Sequence, residues 1–200
     1  KIRIGIPQEF FGEGLNDEVK SAIEDTLSSL SKNENIEFVD IHLPHNEFSI
    51  ATYYILTTAE ASANLQRYDG VRYGFRDSKQ TELDDMYTQT RSKGFGDEVK
   101  RRIMLGTYVL SSGYYDAYYG QALKARAMMK KEFTDIYEDV DYLISPTTPS
   151  DPFKFGEKSD NQLEMYMSDL CTIPANLVGM PAISIPTGLS SQGLPLSVQI

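Results

Sequence analysis

The chain has 200 residues, of which 40 % are hydrophobic and 24 % charged, a composition typical of a globular domain or a large piece of one. Its single cysteine excludes an intramolecular disulfide framework, and no apolar run approaches the roughly 18 residues of a membrane span. The formal net charge of −10 argues against a main nucleic-acid-binding surface, so a partner would supply most contacts to any RNA. These properties predict a cytoplasmic protein without a membrane segment.

The first third of the chain predicts a strand, a helix and a second strand. Residues 2–6 alternate in polarity up to Pro7, and residues 36–43 alternate up to Pro44. Between them, Asn16 or Asp17 can cap a helix that runs to about residue 32. Two parallel strands joined by a crossover helix are the expected arrangement.

The middle of the chain predicts three helices. The first runs from Asn46 to about Tyr68, and the second begins at Asp97. The third runs from Tyr114 to about Glu138, and Gly113 separates it from the second. Residues 69–77 form a loop rich in glycine, arginine and tyrosine.

The last third returns to short strands. Residues 142–144, 182–185 and 194–200 have strand patterns, and a helix interrupted by Pro174 is predicted over residues 163–177. We therefore expect an α/β fold with its helices clustered in the middle. Because the sequence opens directly into one strand and stops in another, we expect an excised segment of a larger domain.

Common catalytic motifs are absent from the sequence. It has no P-loop, no complete dinucleotide-binding glycine pattern and no G-x-S-x-G elbow. His42 and His45 flank Pro44 without a third ligand nearby, so we predict surface histidines and no metal site.

Three polar residues share helix faces with apolar ones. Arg102 lies three residues after Val99, Asp169 three after Tyr166, and Tyr53 three after Ile50. A buried arginine or aspartate is costly unless it is paired, so we expect Arg102 and Asp169 to be buried with partners. One interpretation is structural ion pairing, with Tyr53 in the core. The other is a site for a free α-amino acid, in which arginine binds the α-carboxylate, aspartate the α-ammonium, and tyrosine donates a hydrogen bond.

Two further groups are better explained by structure than by function. The tyrosines at positions 114, 115, 118 and 119 form an aromatic stripe that is more typical of packing. Arg72, Arg76 and Arg91 lie among aspartates, a pattern that favours a solvated face of mixed charge.

Several runs of the sequence resemble the amidase-signature family. They are YDGVRYG at 68–74, EVKRRIMLGTYVLS at 98–111, GYYDAYY at 113–119, PTTP at 146–149 and PANLVGMPAISIP at 174–186. The last two occur across that family, whereas the segment from Arg102 to Tyr119 resembles in particular the A subunits of aspartyl/glutamyl-tRNA(Asn/Gln) amidotransferases. The resemblance covers almost the whole chain and corresponds to the C-terminal part of those subunits.

The resemblance implies a mixed sheet flanked by helices and a glutaminase that works with the B and C subunits of the amidotransferase. Ammonia from glutamine would convert Glu-tRNA(Gln) or Asp-tRNA(Asn) to Gln-tRNA or Asn-tRNA on the B subunit, which uses ATP and Mg²⁺ and makes most of the aminoacyl-tRNA contacts. No cofactor is expected in this chain. By matching position, the resemblance assigns Tyr53, Arg102 and Asp169 to glutamine binding.

The family's Ser–cis-Ser–Lys triad lies in an N-terminal glycine- and serine-rich stretch that this sequence lacks. None of the serine pairs, at 28–29, 111–112 and 190–191, lies in a Gly-Gly-Ser-Ser-Gly-Gly-Ser context. We therefore predict no catalytic residue here and no activity for this chain alone. Residues 1–200 are expected to be the C-terminal segment of a single amidase domain. The alternatives are a segment of a stand-alone amidase and a non-catalytic module that binds other subunits.

Overall fold

A computed structural model describes residues 1–12, 14–79, 81–157 and 162–200. The strands are β1 (Ile2–Pro7), β2 (Ile36–Ile41), β3 (Tyr142–Leu143), β4 (Ser145–Pro146), β5 (Ser184–Leu189) and β6 (Pro195–Gln199). The helices are α1 (Asp17–Leu30), α2 (Ser49–Leu65), α3 (Leu83–Gly94), α4 (Asp97–Val109), α5 (Tyr119–Ile136), α6 (Gln162–Met167) and α7 (Ile173–Val178). Short 3-10 turns span Gln8–Phe11 and Pro44–Phe48. The mixed α/β fold predicted from the sequence is confirmed.

The chain divides into two compact units. The first contains Lys1–Ile50 and Ala125–Ile200, and the second contains Ala51–Lys124. All six described strands belong to the first unit, whereas the second is built from helices and the loops between them. No helix of the described residues has the length and apolar character needed to cross a bilayer.

The first unit begins with the predicted strand–helix–strand motif. β1 and β2 pair in parallel, with Ile4 opposite Phe38, and β3 pairs with the other side of β1. Asn16 caps α1 because its side-chain oxygen accepts a hydrogen bond from the Glu18 N–H at 2.8 Å. The α1 side chains Val19 and Ile23 are buried, so the helix covers the sheet as a crossover helix should.

A second, antiparallel sheet follows within the same unit. Its strand order is β4-β6-β5, and Ile185 lies opposite Val198. Only Ile144 separates β3 from β4, and it is fully buried. Its side chain packs with Ile4 of the parallel sheet and with Leu196 and Val198 of the antiparallel sheet, in one core cluster.

The second unit brings α2 and α4 together at a glycine. A Cβ on Gly106 would collide with the Thr58 carbonyl oxygen and lie 2.6 Å from the Ser62 Cβ. The Ser62 and Thr107 hydroxyls are hydrogen-bonded at 3.0 Å beside this contact. Only a residue without a side chain permits such a close approach of two helix backbones.

The structure differs from the predicted helices at three places. The last helix of the middle segment begins at Tyr119 rather than Tyr114, because residues 110–118 form turns in which the Ser111 hydroxyl donates to the Tyr108 carbonyl oxygen at 2.7 Å. The helix predicted over 163–177 is two short helices, α6 and α7. Pro174 lies in the first turn of α7, where a missing N–H costs nothing.

The third difference is α3, which the sequence did not predict. Its buried face consists of Met86 and Thr90 alone, too few apolar positions to give a helical period. Asp84 and Asp85 in the first turn suit the positive end of the helix dipole, and that signal was available in the sequence.

We predict that Gly106→Ala destabilises the protein. In an open helix alanine would gain about 1 kcal/mol over glycine. Here the added methyl group must push α2 and α4 apart, so we expect the free energy of unfolding to fall by about 1–3 kcal/mol. Urea unfolding followed by circular dichroism measures the change. Gly113→Ala is the matched control, since a Cβ there meets nothing within 4 Å. Equal effects of the two substitutions would contradict the close contact.

Candidate functional site

Tyr53 lies in the second turn of α2. Its side chain is half-buried, and its ring packs edge-on against Tyr54, with centroids 5.2 Å apart. The Thr57 hydroxyl donates to the Tyr53 carbonyl oxygen at 2.7 Å, a bond that leaves the phenol group uninvolved. The ring is therefore held in place, and among the residues that the structure describes its hydroxyl has no hydrogen bond.

Arg102 lies on α4, four residues before the glycine contact. Its Nε donates to Glu98 Oε1 at 3.1 Å, and its side chain is 41 % exposed. The same carboxylate binds Arg101 through its other oxygen at 2.5 Å. Glu98 thus fixes the direction of the Arg102 side chain through Nε. Within the described residues this leaves the two terminal nitrogens of Arg102 for the two-pronged contact that a carboxylate makes.

Sequence reasoning did not single out Glu98. The signal was its position four residues before Arg102, the spacing that places a glutamate and an arginine side by side on a helix. The Arg102 side chain is only partly buried, so the expectation of a buried arginine is wrong; its partner comes from its own helix and does not require full burial.

Asp169 lies in the turn between α6 and α7, in the first unit. Its carbonyl oxygen accepts hydrogen bonds from the N–H groups of Thr172 and Ile173, at 3.1 and 3.0 Å. The residue is exposed, so the expectation of a buried aspartate is also wrong: a turn projects it, rather than the face of a long helix. Tyr53 and Arg102 belong to the second unit, and the grouping of all three residues into one site stays a prediction.

The turn that carries Asp169 is tied to the core of its unit. Gln199 on β6 donates through Nε2 to the carbonyl oxygen of Cys171 at 3.1 Å. Cys171 is buried beside a cavity of about 40 Å³, which Ser145 and Pro174 also line. Burial raises the pKa of the Cys171 thiol to about 12. These contacts fix the backbone that presents Asp169.

The two histidines pair with glutamates in the first unit. His42 Nδ1 lies 3.2 Å from Glu9 Oε1, and His45 Nδ1 lies 3.1 Å from Glu132 Oε1. The His42 side chain is 74 % exposed, as predicted, whereas that of His45 is 33 % exposed. The described part of the chain holds no group of three potential metal ligands.

The tyrosine stripe forms a surface cluster in the second unit. Tyr108 contacts Tyr114 and Tyr118, with ring centroids 4.3 and 6.0 Å apart. The hydrogen bond with Tyr114 raises the pKa of Tyr108 to about 12. The rings pack on one another and remain about two-fifths exposed.

Comparison with known proteins identifies the family. The amidase family profile matches residues 1–200. The chain belongs to the amidase family. An amidase crystal structure at 20 % identity shares the fold, with a TM-score of 0.73 over 99 % of this chain and 41 % of that one.

Two similar amidase relatives share one description. The A subunit of glutamyl-tRNA(Gln) amidotransferase from Halalkalibacterium halodurans is 53 % identical over 199 residues, and that from Thermodesulfovibrio yellowstonii is 54 % identical. The chain spans about 41 % of the length of these curated relatives. The crystal structure of the Thermotoga maritima A subunit is 34 % identical, with a TM-score of 0.72 over 99 % of this chain and 38 % of that chain.

We predict that the Cys171 thiol of the native amidase segment does not react with a disulfide reagent at pH 8. The thiolate is the reactive form, and a pKa of about 12 leaves roughly one thiol in 10⁴ ionised at that pH. The reaction should become faster as the pH rises towards 12. It should also become fast at pH 8 when urea unfolds the chain and exposes the thiol. Because Cys171 is the single cysteine of the sequence, the thiol that the reagent releases reports on this position alone. Rapid reaction of a sample shown to be folded by circular dichroism would contradict the burial of Cys171.

Proposed function

We propose that the chain is a segment of the glutaminase subunit of a tRNA-dependent amidotransferase. In this role it helps to supply ammonia from glutamine for the conversion of Glu-tRNA(Gln) or Asp-tRNA(Asn) to Gln-tRNA or Asn-tRNA. The observation that carries the proposal is the identity of more than half of the residues, over the whole chain, to proteins described as the A subunit of glutamyl-tRNA(Gln) amidotransferase. More distant amidases share the fold at 20 % identity or less, which separates them from this group.

In the proposal, Arg102 binds the α-carboxylate of glutamine. Its guanidinium is aligned by Glu98 and presents the terminal nitrogens, the arrangement that suits a planar carboxylate. Partial burial strengthens such a contact because less water competes for the charges. Tyr53, held by its contact with Tyr54, adds a hydroxyl donor and one wall of the pocket.

Asp169 binds the α-ammonium group of glutamine in the proposal. Asp169 is exposed on a turn, a position from which its side chain reaches solvent without a change in the helices. The hydrogen bond from Gln199 to Cys171 fixes the turn from behind. A free α-amino acid carries both a carboxylate and an ammonium group, so residues of both charges distinguish it from a simple amide.

We propose that the nucleophile and its activating groups belong to a part of the full-length protein outside this sequence. No serine of the chain lies in the glycine-rich context of the family's triad, and we assign no catalytic residue here. Ammonia would pass to a partner, the B subunit, that binds ATP, Mg²⁺ and the aminoacyl-tRNA, with a small C subunit bracing the pair. Because its substrate is the aminoacyl-tRNA used in protein synthesis, the proposal places the assembly in the cytoplasm.

We predict that Arg102→Leu, made in the full-length product of the gene, raises the KM for glutamine by about tenfold or more. The α-carboxylate loses a charged partner whose hydrogen bonds contribute about 1.5–3 kcal/mol. Ammonia release from glutamine is the measurement. Arg101→Leu is the control, because it removes the neighbouring arginine bound to the same Glu98. Unchanged kinetics in Arg102→Leu, in an enzyme that does hydrolyse glutamine, would refute the assignment.

We further predict that Asp169→Asn weakens glutamine binding more than binding of an analogue that lacks the α-amino group. Asparagine keeps the shape of the side chain and removes only its charge, so the loss depends on the ligand's ammonium group. Inhibition constants for the two ligands, measured with the wild-type and variant enzymes, give the comparison. A similar loss for both ligands would show that Asp169 supports the structure instead.

A further inference from the structure

The loop at residues 66–76, which follows α2, differs in charge from the rest of the chain. We call it the arginine–tyrosine loop. It carries three arginines and one aspartate in a protein whose net charge is −10. Its aromatic side chains Tyr68, Tyr73 and Phe75 are 45 %, 48 % and 56 % exposed. Exposed rings between cations are the composition that single-stranded nucleic acid binds.

The inner side of the arginine–tyrosine loop is fixed to α3. Arg91 donates through Nη1 to the carbonyl oxygens of Leu65 and Tyr68, at 2.9 and 3.0 Å. Gly70, at a φ of +78°, packs so closely on Thr90 that a Cβ would lie 2.7 Å from the Thr90 Cγ2. The loop is therefore preorganised, and a ligand would not have to order it at an entropic cost.

Two of the carboxylates that accompany these arginines in sequence, Asp69 and Asp77, are used internally, whereas Asp84 and Asp85 on α3 are exposed. Asp77 is buried, and its Oδ2 lies 2.6 Å from Lys93 Nζ. Asp69 Oδ1 accepts a hydrogen bond from the Val71 N–H at 2.8 Å, which holds the turn. The solvated face of mixed charge that the sequence favoured is therefore kept at Asp84 and Asp85 on α3, whereas Asp69 and Asp77 are withdrawn from the outer surface of the loop.

The outer side of the loop presents the arginines. The Arg72 Nε lies 3.8 Å from Asp69 Oδ2, and the Arg72 side chain is 69 % exposed. Arg67 and Arg76 are exposed, and among the described residues neither has a hydrogen bond or an ion pair. An open cavity of about 450 Å³ is lined by Gln66, Arg67, Arg72 and Tyr73. A guanidinium pair beside a ring can hold a phosphate and stack on a base.

We propose that the arginine–tyrosine loop binds RNA, with Arg67 and Arg72 contacting phosphates and Tyr73 stacking on an unpaired base. The proposal rests on the proposed function for its choice of tRNA as the RNA. RNA is favoured over an acidic protein because three exposed rings accompany the cations. The acidic remainder of the chain confines the contact to a few nucleotides, so this loop supplements a larger surface on a partner.

The test uses the full-length product of the gene in complex with its partner subunits, and the cognate tRNA as the probe. Arg67→Gln/Arg72→Gln should weaken binding about tenfold at 0.15 M salt. The slope of log affinity against log salt concentration should also become less negative, by about 0.7–0.9 for each phosphate that is no longer bound. Lys124→Gln/Lys130→Gln removes the same charge from exposed positions on α5 and should leave both quantities unchanged. Equal effects of the two double variants would overturn a site at the loop.

A second pair of variants tests the ring. Tyr73→Phe retains the stacking surface and should bind tRNA as the wild type does, whereas Tyr73→Leu should weaken binding about fivefold or more. Binding is measured without glutamine or ATP, so a failure here is independent of the glutamine predictions. If the arginine variant binds tRNA normally and no longer holds a partner subunit in sedimentation, the loop is a protein interface and the proposal is wrong.

Discussion

The first unit depends on the burial of one face of α1 against strands from both of its sheets. Val19 and Ile23 are 3 % and 0 % exposed, and they pack with Ile4 of the parallel sheet and Val198 of the antiparallel one. Burying each such side chain contributes about 1.5–3 kcal/mol. The same core positions β6, whose Gln199 binds the Cys171 carbonyl oxygen and so supports the turn at Asp169. A candidate ligand group on the surface is thus positioned by apolar contacts well away from it.

In the second unit, by contrast, polar groups fix the distances between neighbouring segments. Thr58, Ser62 and Thr107 surround the glycine at which α2 and α4 meet. One arginine, Arg91, ties the end of α2 to α3 through two carbonyl oxygens and covers the Phe95 ring at 5.0 Å. Charged side chains in this unit therefore divide into those that hold the backbone and those, such as Arg102, that retain donor groups for a ligand.

The elements predicted best from the sequence are those that depend on local patterns, namely alternating strands and a capped helix. The alternation of residues 2–6 and 36–43 and the cap at Asn16 gave β1, α1 and β2 within about two residues. α3 was missed because tertiary contacts, rather than an apolar stripe, hold it. Burial of Asp169 was wrongly expected because helix periodicity does not show where a helix ends and a turn exposes its residues. Burial of Arg102 was wrongly expected because its partner, Glu98, comes from the same helix and needs no second element to cover it. The role of Glu98 was visible in its spacing but required the structure to establish the contact.

The order of the chain through the two units has a consequence for synthesis on the ribosome. Residues 51–124 of the second unit are continuous, and contacts within it, such as that between Ser62 and Thr107, which are 45 residues apart, do not wait for residues beyond 124. The first unit must join segments far apart, such as Arg3 and Asp141, which are 138 residues from each other and hydrogen-bonded at 2.8 Å. Contacts across such distances form late, because a long loop must close first. The helical unit can therefore be complete before β3 is available to pair with β1, and during that interval the nascent chain exposes a strand edge that other chains can pair with.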